Sequence, residues 1–340
     1  MTFEGFPLII GWELTLQCNL RCRHCGSSAG LPRKNELSTA EALSICEQLP
    51  DLLVQEVDFT GGEPFLRPDL LIIARKLQNL RIKTNILTHG YGYSADDIRR
   101  LQDAGISGAG ISLDGLEKTH DYIRRSNGSY ASVLRTIGHF QEAEMPYNVI
   151  TTVNARNISE LPEMYLKLSE SKVKYWRLQA IIPMGRVAQT PELELGEDQF
   201  HKLGQFIRKH YKPADTDSLN LICSDGLQYV IPTAKPWQGC GAGIVTCGIT
   251  AEGKIKGCLS MPDELVVGDL RKNSLWDIWF DERSFAYNRN FQKNDLGENC
   301  KSCEKAEECK GGCSSSSYVM TNVFHNDPFC FHRIDGNLST

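Results

Sequence analysis

Residues 8–25 read LIIGWELTLQCNLRCRHC. Residues 8–16 are dominated by apolar and β-branched side chains, the composition of a strand, and the chain leaves that strand straight into Cys18-x3-Cys22-x2-Cys25. Three thiols on one loop suit a cubane iron–sulfur cluster that keeps one iron free of protein ligands. Structural zinc wants four closed ligands. His24 could complete such a set, but it adjoins Cys25, and neighbours in sequence do not readily point at one ion.

Outward from this stretch the same rhythm recurs. Strand-like runs at residues 8–16, 56–60, 82–88, 108–113, 147–153 and 175–181 alternate with helix-period segments, as in a parallel sheet with crossover helices. Ser38 with Glu41, and more weakly Ser94 with Asp97, mark helix starts. Beyond Pro183 the repeat breaks down around one helical stretch, residues 197–210. From Cys240 onward glycine and cysteine dominate, with one amphipathic segment at 274–280, so the core there is too small to fold without staples. The expected division is residues 1–185, a bridge over 186–239, and a cysteine-rich region over 240–335.

The 340 residues are 41% hydrophobic and 23% charged, the composition of a globular chain rather than a disordered or fibrous one. No apolar run reaches membrane-spanning length, and the first residues lack the order of a secretory signal, so a cytoplasmic protein with no membrane partner is expected. A net charge of -5 without a basic run argues against nucleic acid. Thirteen cysteines, an odd number in a long chain, point to metal rather than disulfides. Cys46 shares one helix face with Ala42, Ile45 and Leu49 and reads as a buried apolar residue.

The cysteine loop, together with Gly61-Gly62-Glu63-Pro64 after the second strand, resembles the radical SAM enzymes. That resemblance implies an α/β fold, a partial (β/α)6 barrel, with a [4Fe–4S] cluster on Cys18, Cys22 and Cys25 whose open iron chelates S-adenosylmethionine. It implies that the backbone and carboxylate of the Gly-Gly-Glu-Pro turn receive the methionine amino group. Thr88 after the third strand, Ser112 and Asp114 after the fourth, and Asn154 after the fifth would share the same rim, with Arg124 a further SAM contact. His89 and His120 read as satisfied polar residues at loop starts.

Cys240, Cys258, Cys300-x2-Cys303-x5-Cys309-x3-Cys313 and Cys330 resemble the SPASM extension of peptide-modifying radical SAM enzymes, and Cys247 adds an eighth thiol. The resemblance assigns Cys240, Cys247, Cys258 and Cys313 to a first auxiliary [4Fe–4S] cluster and Cys300, Cys303, Cys309 and Cys330 to a second, making three clusters in all. Zinc on the Cys300–Cys303 pair is the alternative, though the intervals beside it suit zinc poorly.

The expected activity is reductive cleavage of S-adenosylmethionine and abstraction of a C–H hydrogen from a ribosomal peptide, ending in oxidation or cross-linking. One alternative is epimerisation with Cys223 as hydrogen donor, in which Asp225 reads as a turn residue rather than a base. Another is oxidation or epimerisation of a sugar or aminocyclitol, and a non-catalytic electron carrier is the remote case. A low-potential flavodoxin or ferredoxin is expected as donor, docking at Arg21 and Arg23. Only seventeen residues precede Cys18, so a peptide leader is expected to be recognised by the barrel and bridge or by a separate protein. A wide groove would favour a peptide and a closed pocket a sugar.

Overall fold

The structure, a computed structural model, describes residues 5–212, 218–224, 227 and 239–338. The six expected strands are all present, as β1 (Ile9–Thr15), β2 (Glu56–Gly61), β3 (Lys83–Thr88), β4 (Ile106–Ser112), β5 (Tyr147–Val153) and β6 (Tyr175–Ala180). They pair in parallel and in chain order. The helices α1 (Thr39–Gln48), α2 (Leu70–Asn79), α3 (Ala95–Asp103), α4 (Glu117–Arg124), α5 (Ser129–Glu142) and α6 (Leu161–Glu170) lie between them in sequence. Both expected capping boxes close: Ser38 with Glu41 opens α1 and Ser94 with Asp97 opens α3. α7 (Glu197–His210) follows in the bridge.

Two strands that the sequence reading leaves out extend the sheet at its edges. β7 (Asn220–Cys223) from the bridge pairs with β6, and β8 (Thr246–Ile249) from the cysteine-rich region pairs with β1, both in parallel. β9 (Lys254–Lys256) and β10 (Gly268–Asp269) continue antiparallel, giving one ten-stranded sheet. β7 and β8 are each four residues long, too short for a period to register, and their pairing with β6 and β1 depends on partners far away in sequence.

Alternation along the strands sorts the side chains. Ile10, Trp12 and Leu14 of β1, Val57 and Phe59 of β2 and Trp176 and Leu178 of β6 belong to the continuous hydrophobic core. Residues of opposite parity face the lumen: Asp58, Asn85, Gly110, Asn148 and Arg177 line one polar cavity of about 270 Å³. Cys46 is buried in α1 with Ala42 and Ile45, as expected. α8 (Leu275–Phe280), capped by Ser274, sends Trp279 into the main core. Leu296, Cys300 and Ala306 instead form a small cluster of their own. Among the described residues no helix is long and apolar enough to cross a membrane.

Candidate active site

The cysteine loop is held from three sides. At its base the Cys18 amide donates to the Gly30 carbonyl (2.9 Å) and the Gly30 amide returns to Leu16 (2.8 Å). The end of α4 holds it through the Arg23 amide, which donates to Ile123 O (2.8 Å). From beyond β6, Arg186 donates through Nε to Cys22 O (2.7 Å) and through Nη1 to Ala29 O (2.8 Å). Arg186 is a residue that the sequence reading missed, because nothing local marks it.

Each of the three sulfurs has an N–H donor. The Leu20 amide points at Cys18 Sγ (3.4 Å), the Ala29 amide at Cys25 Sγ (3.4 Å), and Arg124 Nη1 at Cys22 Sγ (3.8 Å). Donors aimed at sulfur stabilise thiolate and cluster charge, so these residues fit an iron–sulfur cluster. Burial pushes the Cys18 thiol up to about 11 and raises Cys22, against the pull of Arg124. Among the described residues no three His, Cys, Asp or Glu side chains close on a single ion; a cubane places its thiolates on separate irons.

Below the loop lies a buried network. Asp114 is fully buried and accepts from His24 Nε2 (2.9 Å), from Arg124 Nη2, and from the Thr152 amide (3.0 Å). Burial alone would raise its carboxyl, but Arg124 and His24 outweigh that and hold it far below the ordinary range. His120 accepts from the Asp114 amide at Nδ1 (3.0 Å) and meets Ser129 Oγ at Nε2 (3.1 Å), so it is satisfied as expected. Burial and then Arg124 lower it to about 4.

The glycine turn brings bare backbone to the rim. Gly61 has φ +128°, and a Cβ there would stand 2.2 Å from Thr15 O; at Gly62 it would stand 2.2 Å from Gln17 O. No side chain fits at either position. The Glu63 carboxylate points elsewhere than expected. Fully buried, it accepts from Thr88 Oγ1 (3.0 Å) and the His89 amide (3.0 Å), tying the ends of β2 and β3 together. In this structure, then, the Gly62 and Glu63 amides donate to Thr15 O (2.7 Å) and Gln17 O (2.8 Å), while the Thr88 hydroxyl and the Glu63 carboxylate serve each other. His89 accepts from the Tyr91 amide at Nδ1 (3.0 Å) and contacts Asn19 at Nε2 (2.8 Å), as a satisfied histidine does. Pro64 follows at the start of a short helical turn.

Of the remaining rim residues, Ser112 pairs with Ile150 two steps beyond the lumen-facing Gly110–Asn148 pair, so its hydroxyl shares the lumen side. Asn154 is buried and closes its own loop, accepting from the Arg156 (3.1 Å) and Asn157 (3.3 Å) amides. Arg124 has Nη1 on Cys22 and Nη2 on Asp114. The geometry thus puts Asp114 and Arg124 against the cysteine loop through His24 and Cys22, while Asn154 orders the turn after β5.

Cys223 is a buried thiol at the end of β7, not the exposed donor that epimerisation would need. It pairs with Leu178, one step beyond Ile222, which pairs with the lumen-facing Arg177. Its side chain therefore faces the core, beside Leu178 and away from the lumen, and burial pushes it up to about 12. A hydrogen donor must reach the substrate, and this thiol points into the helix layer. Asp225 lies outside the described residues.

In the cysteine-rich region the thiols gather in two groups. Cys240, Cys247 and Cys258 surround Tyr287, whose hydroxyl they and burial push upward. Cys300 lies within electrostatic reach of Cys309 and Cys330, and Cys303 packs on the same small cluster. The Ser260 amide points at Cys258 Sγ (3.4 Å), the same donor pattern as at the first loop. Cys313 is buried where helix Ser314–Thr321 begins, its amide donating to Asp327 (3.0 Å).

Between the cysteine loop, the chain after β6 and this region lies a cleft of about 480 Å³, open on one side and lined by Gly26, Met184, Thr250, Lys256 and Tyr318. Glu13 is another residue the sequence reading missed. It stands at the inner end of the cleft, almost fully buried, accepting from the Ala251 amide (3.3 Å). Burial raises its carboxyl, against that amide and the cations Arg33 and Lys256.

The Radical SAM superfamily model matches residues 12–168, and the SPASM model, an iron–sulfur cluster-binding domain, matches residues 240–304. An AdoMet-dependent heme synthase of Methanosarcina barkeri is 25% identical over 96% of this chain and 97% of its own. A PqqA peptide cyclase of Rhizobium meliloti is 26% identical over 95% and 87%. Among solved structures, SuiB of Streptococcus suis bound to S-adenosylmethionine superposes with a TM-score of 0.76 at 19% identity, over 96% of this chain and 77% of that one. The chain belongs to the radical SAM superfamily and carries a C-terminal SPASM domain. It is an enzyme, and these domains imply a [4Fe–4S] cluster and S-adenosylmethionine.

Proposed function

We propose that the enzyme abstracts a C–H hydrogen from a ribosomally made peptide and carries the product on to oxidation or cross-linking. The observation that supports this best is the open cleft between the cysteine loop and the SPASM region, which an extended chain can enter and leave. Relatives named for peptide substrates support the same class. A sugar or aminocyclitol would be better served by a closed pocket.

Held by Cys18, Cys22 and Cys25 and by the backbone at Gly61 and Gly62, the cluster and S-adenosylmethionine would supply, for one electron, methionine and a 5'-deoxyadenosyl radical able to take an unactivated hydrogen. The protein's own work is placement and exclusion of water. Ser112 faces the lumen where a ribose or carboxylate would lie. Glu13 stands where a substrate losing a further electron would shed a proton, and its carboxylate can accept it. Cys240, Cys247, Cys258 and Cys313, with Cys300, Cys303, Cys309 and Cys330, would hold two auxiliary clusters, which can take that electron. The donor of the first electron would be a flavodoxin or ferredoxin. Arg21 is exposed, though its Nη1 donates to Cys18 O (2.6 Å) and Leu20 O (3.1 Å), and Arg23 lies over the Tyr122 ring at 4.2 Å. A separate protein recognising the peptide leader remains part of the reading.

A second reading has its own support: the relative named a heme synthase matches nearly end to end. A tetrapyrrole would then occupy the same cleft. The deciding experiment is anaerobic co-expression, in deuterated water, with the small peptide encoded nearest the gene, followed by peptide mass, stereochemistry and the porphyrin absorbance of the cells. Loss of two hydrogens supports oxidation or cross-linking. One solvent deuteron at an inverted centre supports epimerisation, with a donor other than Cys223. An unmodified peptide with altered porphyrin absorbance supports the tetrapyrrole.

A further inference from the structure

Two of the three thiols in the cysteine loop receive backbone donors, which no side-chain substitution removes. Cys22 alone receives a charged side chain, Arg124. That guanidinium is buried at the last residue of α4, and the helix stops there because Arg125 turns left-handed at φ 52°. The same helix end is stitched to the loop by the Arg23 amide, so the Arg124–Cys22 approach is set by two elements rather than by one flexible side chain. Asp114 answers the charge from the other side and is itself held by His24 and the Thr152 amide.

We propose that Arg124 and Asp114 are a buried charge pair that sets the reduction potential of the cluster on Cys18, Cys22 and Cys25. Arg124 favours the reduced state through the Cys22 sulfur, and Asp114 is its counterweight. This rests on the assignment of a [4Fe–4S] cluster to that loop. Reduction by one electron adds one negative charge to the cluster. A cation with an N–H on sulfur stabilises the added charge, and an anion behind that cation opposes it. Away from water both act at full strength, because little solvent screens them. Both terminal nitrogens of Arg124 are engaged within the protein, on Cys22 and Asp114, while its buried Nε has no partner there, so the test below also reads ligand affinity.

The pair makes a prediction that a merely structural role does not, because removing its two members must shift the potential in opposite directions. The full chain, reconstituted anaerobically, is titrated with a reductant while the EPR signal that responds to added S-adenosylmethionine is followed; that response separates this cluster from the auxiliary ones. R124Q is expected to lower the equilibrium constant for reduction at least tenfold, a downward shift of about 59 mV for one electron. D114N is expected to shift it upward, the double variant to return near the starting value, and R124K to lie closer to the parent than R124Q does. Iron content and S-adenosylmethionine affinity are measured beside each.

A parent-like potential in R124Q, or shifts of one sign in both single variants, would overturn the pair. So would R124Q losing S-adenosylmethionine affinity at an unchanged potential, which would return Arg124 to the role of a ligand contact. Should D114N not fold, R124K against R124Q decides alone, and equal shifts in those two overturn the proposal. If the parent protein shows no S-adenosylmethionine-responsive signal, the cluster assignment itself fails and takes the pair with it; a responsive signal with unmoved potentials sinks the pair only.

Discussion

The first cysteine loop and the region around Cys300, Cys303 and Cys309 position their thiols in opposite ways. Around Cys18, Cys22 and Cys25 the protein has already done the positioning. β1 is anchored by Trp12 and Leu14, Arg186 and the end of α4 clamp the backbone, and an N–H meets every sulfur. Around Cys300, Cys303 and Cys309 the small apolar cluster holds, among the described residues, only Leu296, Ala306 and the partly buried Phe291. Burial of that size does not offset the entropy of ordering the chain, so there the proposed cluster would have to supply folding free energy. One site is built by the fold, and the other helps to build it. The first auxiliary group lies between these extremes, because Cys247 sits on β8 inside the main sheet.

The comparison breaks most visibly if thiols of the second group are removed. In C300A/C303A the chain from 291 to 313 is expected to lose amide-exchange protection at least 100-fold and to become the first site of proteolysis, while β1–β6 keep theirs. Uniform loss across both regions would show that the barrel also depends on this group. W279A tests the intermediate zone. Trp279 is fully buried in the main core, packed 5.3 Å from Phe285 and donating to Gly5 O (2.8 Å). Truncation should cost about 3–5 kcal/mol, read as a fall in apparent Tm with the auxiliary clusters still assembled. A cost below 1 kcal/mol would separate the SPASM strands energetically from the barrel.

The preformed rim also has an acid limit. His120 is held neutral in the fold at about 4, against 6.5 for the free side chain. Between those values the unfolded chain binds a proton that the folded one refuses, so stability is intact above about 6.5 and falls as pH drops toward 4. The slope should be about 1.4 kcal/mol per pH unit from this residue. Denaturant melts of parent and H120Q across that window check it, and parallel lines would show that His120 already accepts a proton in the fold.

Much of this organisation is legible in the sequence, because its signals are local. The six strands announce themselves by composition, the helix starts by their capping residues, and the clusters by cysteine spacing. What is not legible depends on register. Whether Cys223 faces the lumen or the helices is decided by its pairing with Leu178, and one step either way reverses the answer. Glu63 and Thr88 look like ligand contacts until their strand ends are seen side by side, where they bond each other. Arg186 and Glu13 carry no motif at all; they matter because distant backbone, at Cys22 and at Ala251, comes to them. β7 and β8 are invisible for the same reason, being short strands that only an existing edge makes stable.

The smallest expected effect tests how the two regions are joined at the surface. Arg271, in the SPASM region, donates through Nε to Glu41 (2.6 Å) at the start of α1 and through Nη1 to the carbonyls of Asn35 (3.1 Å) and Glu252 (3.2 Å). Its hydrogen bond holds the Glu41 carboxyl down at about 2, with the Ser38 capping bonds contributing next. Both partners are in contact with solvent, so the link should be worth only about 0.5–1 kcal/mol and should fade with salt. R271A is therefore expected to lower apparent Tm by a degree or two at low ionic strength and by less in 0.5 M salt, without loosening 291–313. A larger, salt-independent loss would mean that the carbonyl bonds rather than the ion pair join the regions. The seam would then belong with the preformed half of the molecule, as a rigid wall of the cleft on which Glu13 and Lys256 keep their places.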